Sequence, residues 1–276
     1  MKLKYLLLLA LCFSFLACNS ESTDDSNTDD EQEETNDSTL LKSIVYNYEV
    51  EEGESETLNF SYEDNKLISI KSTDGSETKI TYTDDKITRI ENLDDDEIME
   101  FFTISYDDEN QFSGYVQYLY DIDGEDIAYN NILTYNDNNT IDIERYKGDF
   151  SSQTESRGVT TYTIIDSNIT KIEFDDITDY YSYEYDSEKG FFANVLEFEV
   201  FNFINYRSEY GFYLFGGENN LLKLEDIQEG WSTSLDRYEY EYNEDGYPIS
   251  AKNYYDDDID DDIAETLESS IEYIYE

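Results

Sequence analysis

Acid–base chemistry near neutral pH most often runs through histidine, and this chain of 276 residues contains none. Its absence removes Ser-His-Asp triads, histidine general bases and histidine-ligated zinc or iron. The two cysteines, Cys12 and Cys18, lie in the first eighteen residues. The rest of the chain therefore has no thiolate nucleophile, disulfide or cysteine metal cluster. What remains is carboxylate. Asp and Glu number 68 against 17 Lys and Arg, for a formal net charge of -51. Two acids across a cleft can hydrolyse a glycosidic bond, but in so acidic a chain neither spacing nor motif marks a particular pair. The sequence nominates no catalytic residue. The chain reads as non-enzymatic, with a carboxylate-based glycan hydrolase as the minor alternative.

Divalent-cation binding is the next chemistry that acids permit. Asp121-Ile122-Asp123-Gly124-Glu125-Asp126 opens like an EF-hand loop but lacks the third alternating ligand and the distal Glu, and it lies between strands rather than helices. The run Asp256–Asp262 is a denser anion cluster, with Asp256, Asp258 and Asp260 as weak calcium candidates. A solvated acidic hairpin loop explains the same run. No other cofactor is indicated. Aromatic side chains offer binding without catalysis, because Tyr or Trp on a rigid sheet stacks on sugar rings or grips peptides. The candidates are Tyr206, Tyr210, Tyr213 and Trp231, the single Trp; core packing accounts for such residues equally well.

The elements that would position these residues follow from a repeat. Leu58–Ile70, LNFSYEDNKLISI, reads as strand, acidic turn, strand, and Lys79–Ile90, KITYTDDKITRI, repeats it. Leu58, Phe60 and Tyr62 share one face of a period-two strand, with Asn59 and Ser61 on the other. Asx-rich turns and the Asp74-Gly75 pair supply hairpin geometry. Tyr62, Tyr82, Tyr106 and Tyr135 recur at 20, 24 and 29 residues, each interval holding two short strands and two turns. Degenerate copies run to SIEYIYE at the C-terminus, with Arg145–Gly158 read as a longer polar connection. Adjacent hairpins without helical crossovers make an antiparallel meander. About sixteen to twenty strands of about five to seven residues fit. So wide a sheet must curl or close. The expected fold is all-β, a meander of hairpins closed into a barrel-like sheet with its aromatic face inward. Phe191–Phe215 breaks the repeat. It reads either as two buried strands or as a short helix, in an insertion that packs into or across one end of the sheet; a ligand-binding lid is the alternative.

The N-terminus addresses location. Lys2 and Lys4 precede an apolar run, Tyr5–Leu16, too short for a conventional span and typical of an export signal. It ends at Phe15-Leu16-Ala17-Cys18, which resembles a bacterial lipobox. That resemblance implies cleavage after Ala17 and a diacylglyceryl anchor on Cys18. Residues 1–17 are then signal peptide, and 18–39 a lipidated Cys with an acidic, self-repelling tether. Ser22-Thr23-Asp24-Asp25 resembles the surface-export signals of Bacteroidetes lipoproteins. The expected location is the outer membrane, lipid-anchored and surface-exposed. The charge repels nucleic acid and anionic lipid; it keeps the chain soluble or attracts cations and basic partners. Spanning strands need roughly nine to eleven residues and an outward apolar belt, whereas the strands here read as about five to seven residues with a second face of Asn, Ser, Thr, Lys and Glu, so a membrane pore is not expected.

The unit aromatic-x-Tyr, acidic turn, Leu/Ile-x-x-Ile resembles the tyrosine–aspartate (YD, Rhs-like) repeats of bacterial surface and toxin-shell proteins. Over about residues 41–276 the chain is more similar to a Bacteroidetes family of lipoproteins with a porin-like fold, on Tyr183–Val195, Gly216–Leu224 and Tyr240–Ala251. It departs at Gly190-Phe191, where the family pattern suggests an Asn-Pro-Phe-like turn. That family carries no established activity. The reading is a cell-surface binding module for an extracellular glycan or protein, the domain being residues 40–276; the alternative is a structural envelope protein without a small ligand.

Overall fold

The structure is a computed structural model and describes residues 39–49, 53–122, 124–175, 178–212, 214, 217–228, 233–257, 259 and 265–276. Cys18, the signal, the tether to residue 38, Tyr213, Trp231, Asp258 and Asp260 lie outside them. Among the described residues, sixteen strands and one helix follow in chain order. They are β1 Leu41–Tyr48, β2 Ser55–Glu63, β3 Lys66–Ser72, β4 Glu77–Thr83, β5 Lys86–Asp94, β6 Glu97–Tyr106, β7 Phe112–Ile122 and β8 Glu125–Tyr135. Then come β9 Thr140–Asp149, β10 Ser152–Ile165, β11 Asn168–Phe174, β12 Tyr180–Tyr185, α1 Phe198–Asn205, β13 Leu221–Ile227, β14 Ser234–Tyr242, β15 Pro248–Asp256 and β16 Thr266–Tyr275. Every strand pairs antiparallel with its sequence neighbours, and β1 pairs with β16 to close the barrel. Closure removes the free edges that a meander would otherwise expose.

The spacing of the repeat has a specific cause. Leu67-x-x-Ile70, Ile87-x-x-Ile90, Phe112-x-x-Tyr115 and Ile169-x-x-Ile172 place two inward residues three apart, where a regular strand would place them two apart. In each hairpin the register slips there by one residue, at Ser61/Tyr62, Thr81/Tyr82, Ser105/Tyr106 and Thr163/Ile164. The extra residue is a β-bulge, which bends and twists the strand into a barrel wall. Two of the repeat tyrosines, and Tyr275 at the C-terminus, bond the backbone beside such bulges. Tyr106 donates its hydroxyl to the Ile87 carbonyl at 2.9 Å, Tyr135 to that of Phe112 at 2.7 Å and Tyr275 to that of Pro248 at 2.9 Å. Each accepting carbonyl belongs to the first inward residue of a returning strand.

The acidic turns are equally physical. Among the described residues, the non-glycine positions with positive φ are all Asp or Asn except Ser167 and Glu197. These short polar side chains tolerate the left-handed region that two-residue hairpins require.

Two sequence expectations need correction. Most strands exceed the expected length, with ten residues in β6 and eleven in β7 and β8, because polar residues beside the turns join the ladder; β3, β4, β11, β12 and β13 keep to six or seven. Arg145–Gly158 is not a connection. It is the paired body of the β9–β10 hairpin, whose register shifts at Gln153/Glu155 and Ser156/Val159.

The inward face is apolar and aromatic: Phe60, Ile70, Ile90, Phe102, Tyr115 and Tyr162 are all buried. On β2 to β5 the outward positions are Asn59, Ser61, Lys71, Lys79, Arg89 and Glu91. An outer aromatic cluster interrupts this polar surface. Phe101 stacks on Tyr118 at 4.4 Å, Phe150 packs edge-on against Tyr118 at 5.1 Å, and the Arg89 guanidinium lies 4.0 Å from the Phe101 ring.

The break in the repeat enters the barrel. We term upper the end where β2 turns into β3 and where β1 begins; the opposite end is lower. From β12 the chain crosses the upper mouth, where the Leu196 amide donates to the Asn65 carbonyl at 2.9 Å. It then descends as α1. Phe192 meets Phe60 at 5.4 Å, Phe203 meets Phe112 at 6.1 Å and Tyr162 at 5.1 Å, and Phe191 meets Tyr273 at 5.4 Å. Burial of each such ring contributes roughly 1.5–3 kcal/mol. The segment turns at residues 206–211 and returns to β13 at the upper end. Gly190 must be glycine here, because a Cβ would lie 2.1 Å from the Gly217 carbonyl oxygen. The expected insertion packed into the sheet is therefore a lumen plug, with one short helix.

Candidate functional site

The upper mouth is occupied by the plug's own anchors. Lys86 pairs with Glu197 at 2.6 Å, and the Tyr106 hydroxyl, whose one proton is shared with the Ile87 carbonyl, lies 2.9 Å from the other Glu197 oxygen. Glu197 adopts φ 60 at the start of α1, a strained conformation held by these two partners. Cavities of about 360 and 350 Å³ flank it. Glu197 lines both and Lys86 the second, and the two are committed to each other.

The lower mouth differs. The plug stops short of it and leaves two chambers of about 380 and 390 Å³ that share Arg145, Phe174 and Arg207. Lys147 and Arg157 line the first chamber. Three of the chain's five arginines thus meet in one cup. Arg145 and Lys147 come from β9, Arg157 from β10, and Arg207 from the plug turn. The hairpin read from sequence as a polar connection supplies three of the four cations.

Neutral groups hold the two inner guanidiniums. An Arg145 Nη donates to Gln117 Oε1 at 3.0 Å, and the guanidinium carbon lies 3.8 Å from the Tyr129 ring centre. Arg207 donates to Thr160 Oγ1 at 2.6 Å and lies 5.5 Å from Phe174. Gln117 is itself fixed, since its amide nitrogen donates to Glu100 at 2.6 Å and to the Arg207 carbonyl at 2.8 Å. That leaves its oxygen for Arg145. Among the described residues no carboxylate pairs within 4.0 Å with Arg145, Lys147 or Arg207, while Arg157 pairs with Glu155 at 3.2 Å. Asp175 and Glu209 are the acids on the walls. Burial and the neighbouring Arg207 charge push the Arg145 pKa down. The phenols near Arg207, among them Tyr162, Tyr115 and Tyr206, are raised by burial. They are neutral at physiological pH and do not offset either guanidinium.

Beneath the cup sits Glu100, fully buried. It accepts from Asn92 at 2.8 Å, Gln117 at 2.6 Å, Ser208 at 2.5 Å and the backbone amides of Glu209 and Tyr210 at 3.2 and 3.4 Å. With five donors this carboxylate pins the plug turn to β5, β6 and β7. It thereby positions Arg207.

Of the sequence-nominated residues, Tyr206 lines the second chamber, packed edge-on against Tyr181 at 5.7 Å and Tyr162 at 6.0 Å. Tyr210 is exposed beside Glu100. Asp256 ends β15. Sequence reasoning passed over Arg145, Lys147, Arg157 and Arg207. The available signal was three cations within residues 145–157 of a chain with four times more acids than bases.

No protein-family profile and no curated protein matches the sequence. Solved structures match in shape. A porin-like protein from Bacteroides vulgatus aligns at 13% identity and a TM-score of 0.52, covering 86% of this chain and 99% of its own. A porin-like protein from Bacteroides uniformis aligns at 14% identity and 0.49, covering 86% and 98%. What this chain shares with the first of these is the barrel fold.

Proposed function

We propose that the protein is a non-catalytic binding module of the bacterial envelope, carried at the outer membrane by a lipid on Cys18 and facing outward. Its recognition site is the lower cup. The observation that carries this reading is the arrangement of the lumen. A pinned plug fills the barrel from the upper mouth, and the two chambers it leaves at the opposite end gather Arg145, Lys147, Arg157 and Arg207. The porin-like shape is here used as a scaffold rather than a conduit. The polar outer face and the filled lumen support a barrel that stands outside the bilayer, since a spanning barrel needs an apolar belt. Among the described residues the dominant charged groups of the cup are cations.

The aromatic packing of the lumen favours a second reading, a structural envelope component without a small ligand. A glycan-array screen of the full-length protein in detergent separates the two. Binding that is lost in Arg207→Gln supports the module. Absence of binding to every array member supports the structural reading. Protease treatment of intact cells tests location, with protection until lysis overturning surface exposure; retention of membrane attachment by Cys18→Ser overturns the anchor.

A further inference from the structure

The sign of the cup is opposite to that of the molecule. A chain of net charge -51 has carboxylates near almost every cation, and most described lysines and arginines outside the cup use them: Lys66, Lys71, Lys79, Lys86, Arg89, Lys171, Lys223 and Arg237 all form ion pairs. The cup departs from this. Arg145 and Arg207 are half-buried, mutually repelling and held by an amide, a hydroxyl and aromatic faces. Desolvating guanidiniums without a counter-charge in direct contact is unfavourable. A buried Arg145 Nε also lacks a partner. Groups fixed by neutral neighbours in this way are preorganised for an anion that the chain itself does not supply.

We infer that the lower cup is an anion site, in which Arg145 and Arg207, with Lys147 and Arg157 alongside, hold the carboxylate or sulfate group of a small acidic ligand of sugar size. This rests on the cup being the recognition site of a binding module. Size and charge narrow the ligand. Each chamber is of small-molecule dimensions, and Tyr129, Phe174 and Tyr181 give the walls flat apolar surface for a ligand body. A long polyanion is disfavoured, because beyond a Debye length of the cup it meets the anionic exterior. A single acidic group inside the cup is close to the cations and distant from most of the acids. Asp175 and Glu209 temper the site without closing ion pairs.

The test is titration calorimetry on the full-length chain in detergent, with D-glucuronate, glucose and inorganic sulfate as probes, at low and moderate salt. Glucuronate is expected to bind at least about tenfold more tightly than glucose and to weaken as salt rises. Arg145→Gln and Arg207→Gln are each expected to lose about tenfold or more, with Lys147→Gln, which removes a point charge rather than a bidentate donor, losing about threefold. Circular dichroism of each variant verifies that the barrel is intact. Sulfate binding as tight as glucuronate supports the anion site and assigns it to a free oxyanion rather than to an acidic sugar. Equal binding of glucose and glucuronate overturns the inference, as does unchanged glucuronate binding by folded Arg207→Gln and Lys147→Gln. A neutral glycan that binds the array through the cup while all acidic probes fail would overturn the anion site and leave the module standing. Failure of every probe and every array member would remove both.

Discussion

At the scale of single residues, Glu100 decides where the plug stops. Its buried carboxylate takes donors from two strands and from three consecutive plug residues. Glu100→Ala leaves the buried Ser208 hydroxyl without its acceptor and removes one of the two acceptors of Asn92 and of Gln117. It is expected to cost about 3–5 kcal/mol, read as a fall in the denaturant midpoint; an unchanged midpoint would remove the pin. Asp236 behaves oppositely. Burial raises its pKa, opposed by a hydrogen bond from Asn253 and assisted by the Glu268 charge. A raised carboxyl pKa means the folded state keeps the proton that the unfolded chain releases. Stability is then lost as pH rises from the ordinary carboxylate range through the folded value. Asp236→Asn is accordingly expected to raise Tm at neutral pH and to lose that advantage below about pH 4. An equal gain at both pH values would indicate packing instead. Neither residue was legible in the sequence, where each is one acid among 68. The cup was hidden for a related reason. A net charge describes the average surface and directed attention to cationic partners, whereas the site depends on which few charges lie beyond reach of the rest.

Elements were far more legible, because their signals are local and repeated. The Leu-x-x-Ile spacing looked like loose strand periodicity and is in fact the imprint of a bulge. The acids of the turns looked like solubility and are backbone chemistry. Asp95 and Asp96 link β5 and β6 with φ values of 47 and 68, the geometry of a two-residue hairpin that favours glycine at its second position. Asp96→Gly is expected to stabilise the barrel by about 0.5–1 kcal/mol, the left-handed strain relieved less the entropy that glycine adds to the unfolded chain. Thermal melts against Asp96→Val, which should destabilise, check this. A loss with glycine would mean that the Asp96 side chain contributes contacts of its own. The β9–β10 hairpin escaped recognition because its two bulges destroy alternation where the outer and inner faces are both polar. The plug was visible only as a failure of the repeat. Its helix is eight residues long, too short to declare itself by periodicity, and its course through the lumen is set by rings on strands distant in sequence.

The molecule as a whole combines a polyanionic exterior with an interior of phenols, and pH sets these against each other. Of 28 tyrosines, those facing the lumen include Tyr46, Tyr183 and Tyr240, which burial holds well above the ordinary phenol pKa. At the rim, Tyr48 and Tyr135 are pushed up to about 12, in each case chiefly by burial. A raised phenol pKa means the folded barrel retains protons that an unfolded chain would release above about pH 10. Stability is therefore insensitive to these groups at neutral pH and is lost as pH climbs from that value through the folded ones. Each phenolate formed also adds to a net charge already at -51, so self-repulsion grows as the core is strained. The expected result is a cooperative alkaline transition in which tyrosinate absorbance and loss of the β-sheet circular dichroism rise together. Added salt should move that transition to higher pH by screening the exterior. The alternative outcome is specific. If most tyrosines titrate smoothly near their ordinary pKa while the β-sheet signal persists, water reaches the lumen, and the barrel is an open conduit rather than a plugged scaffold.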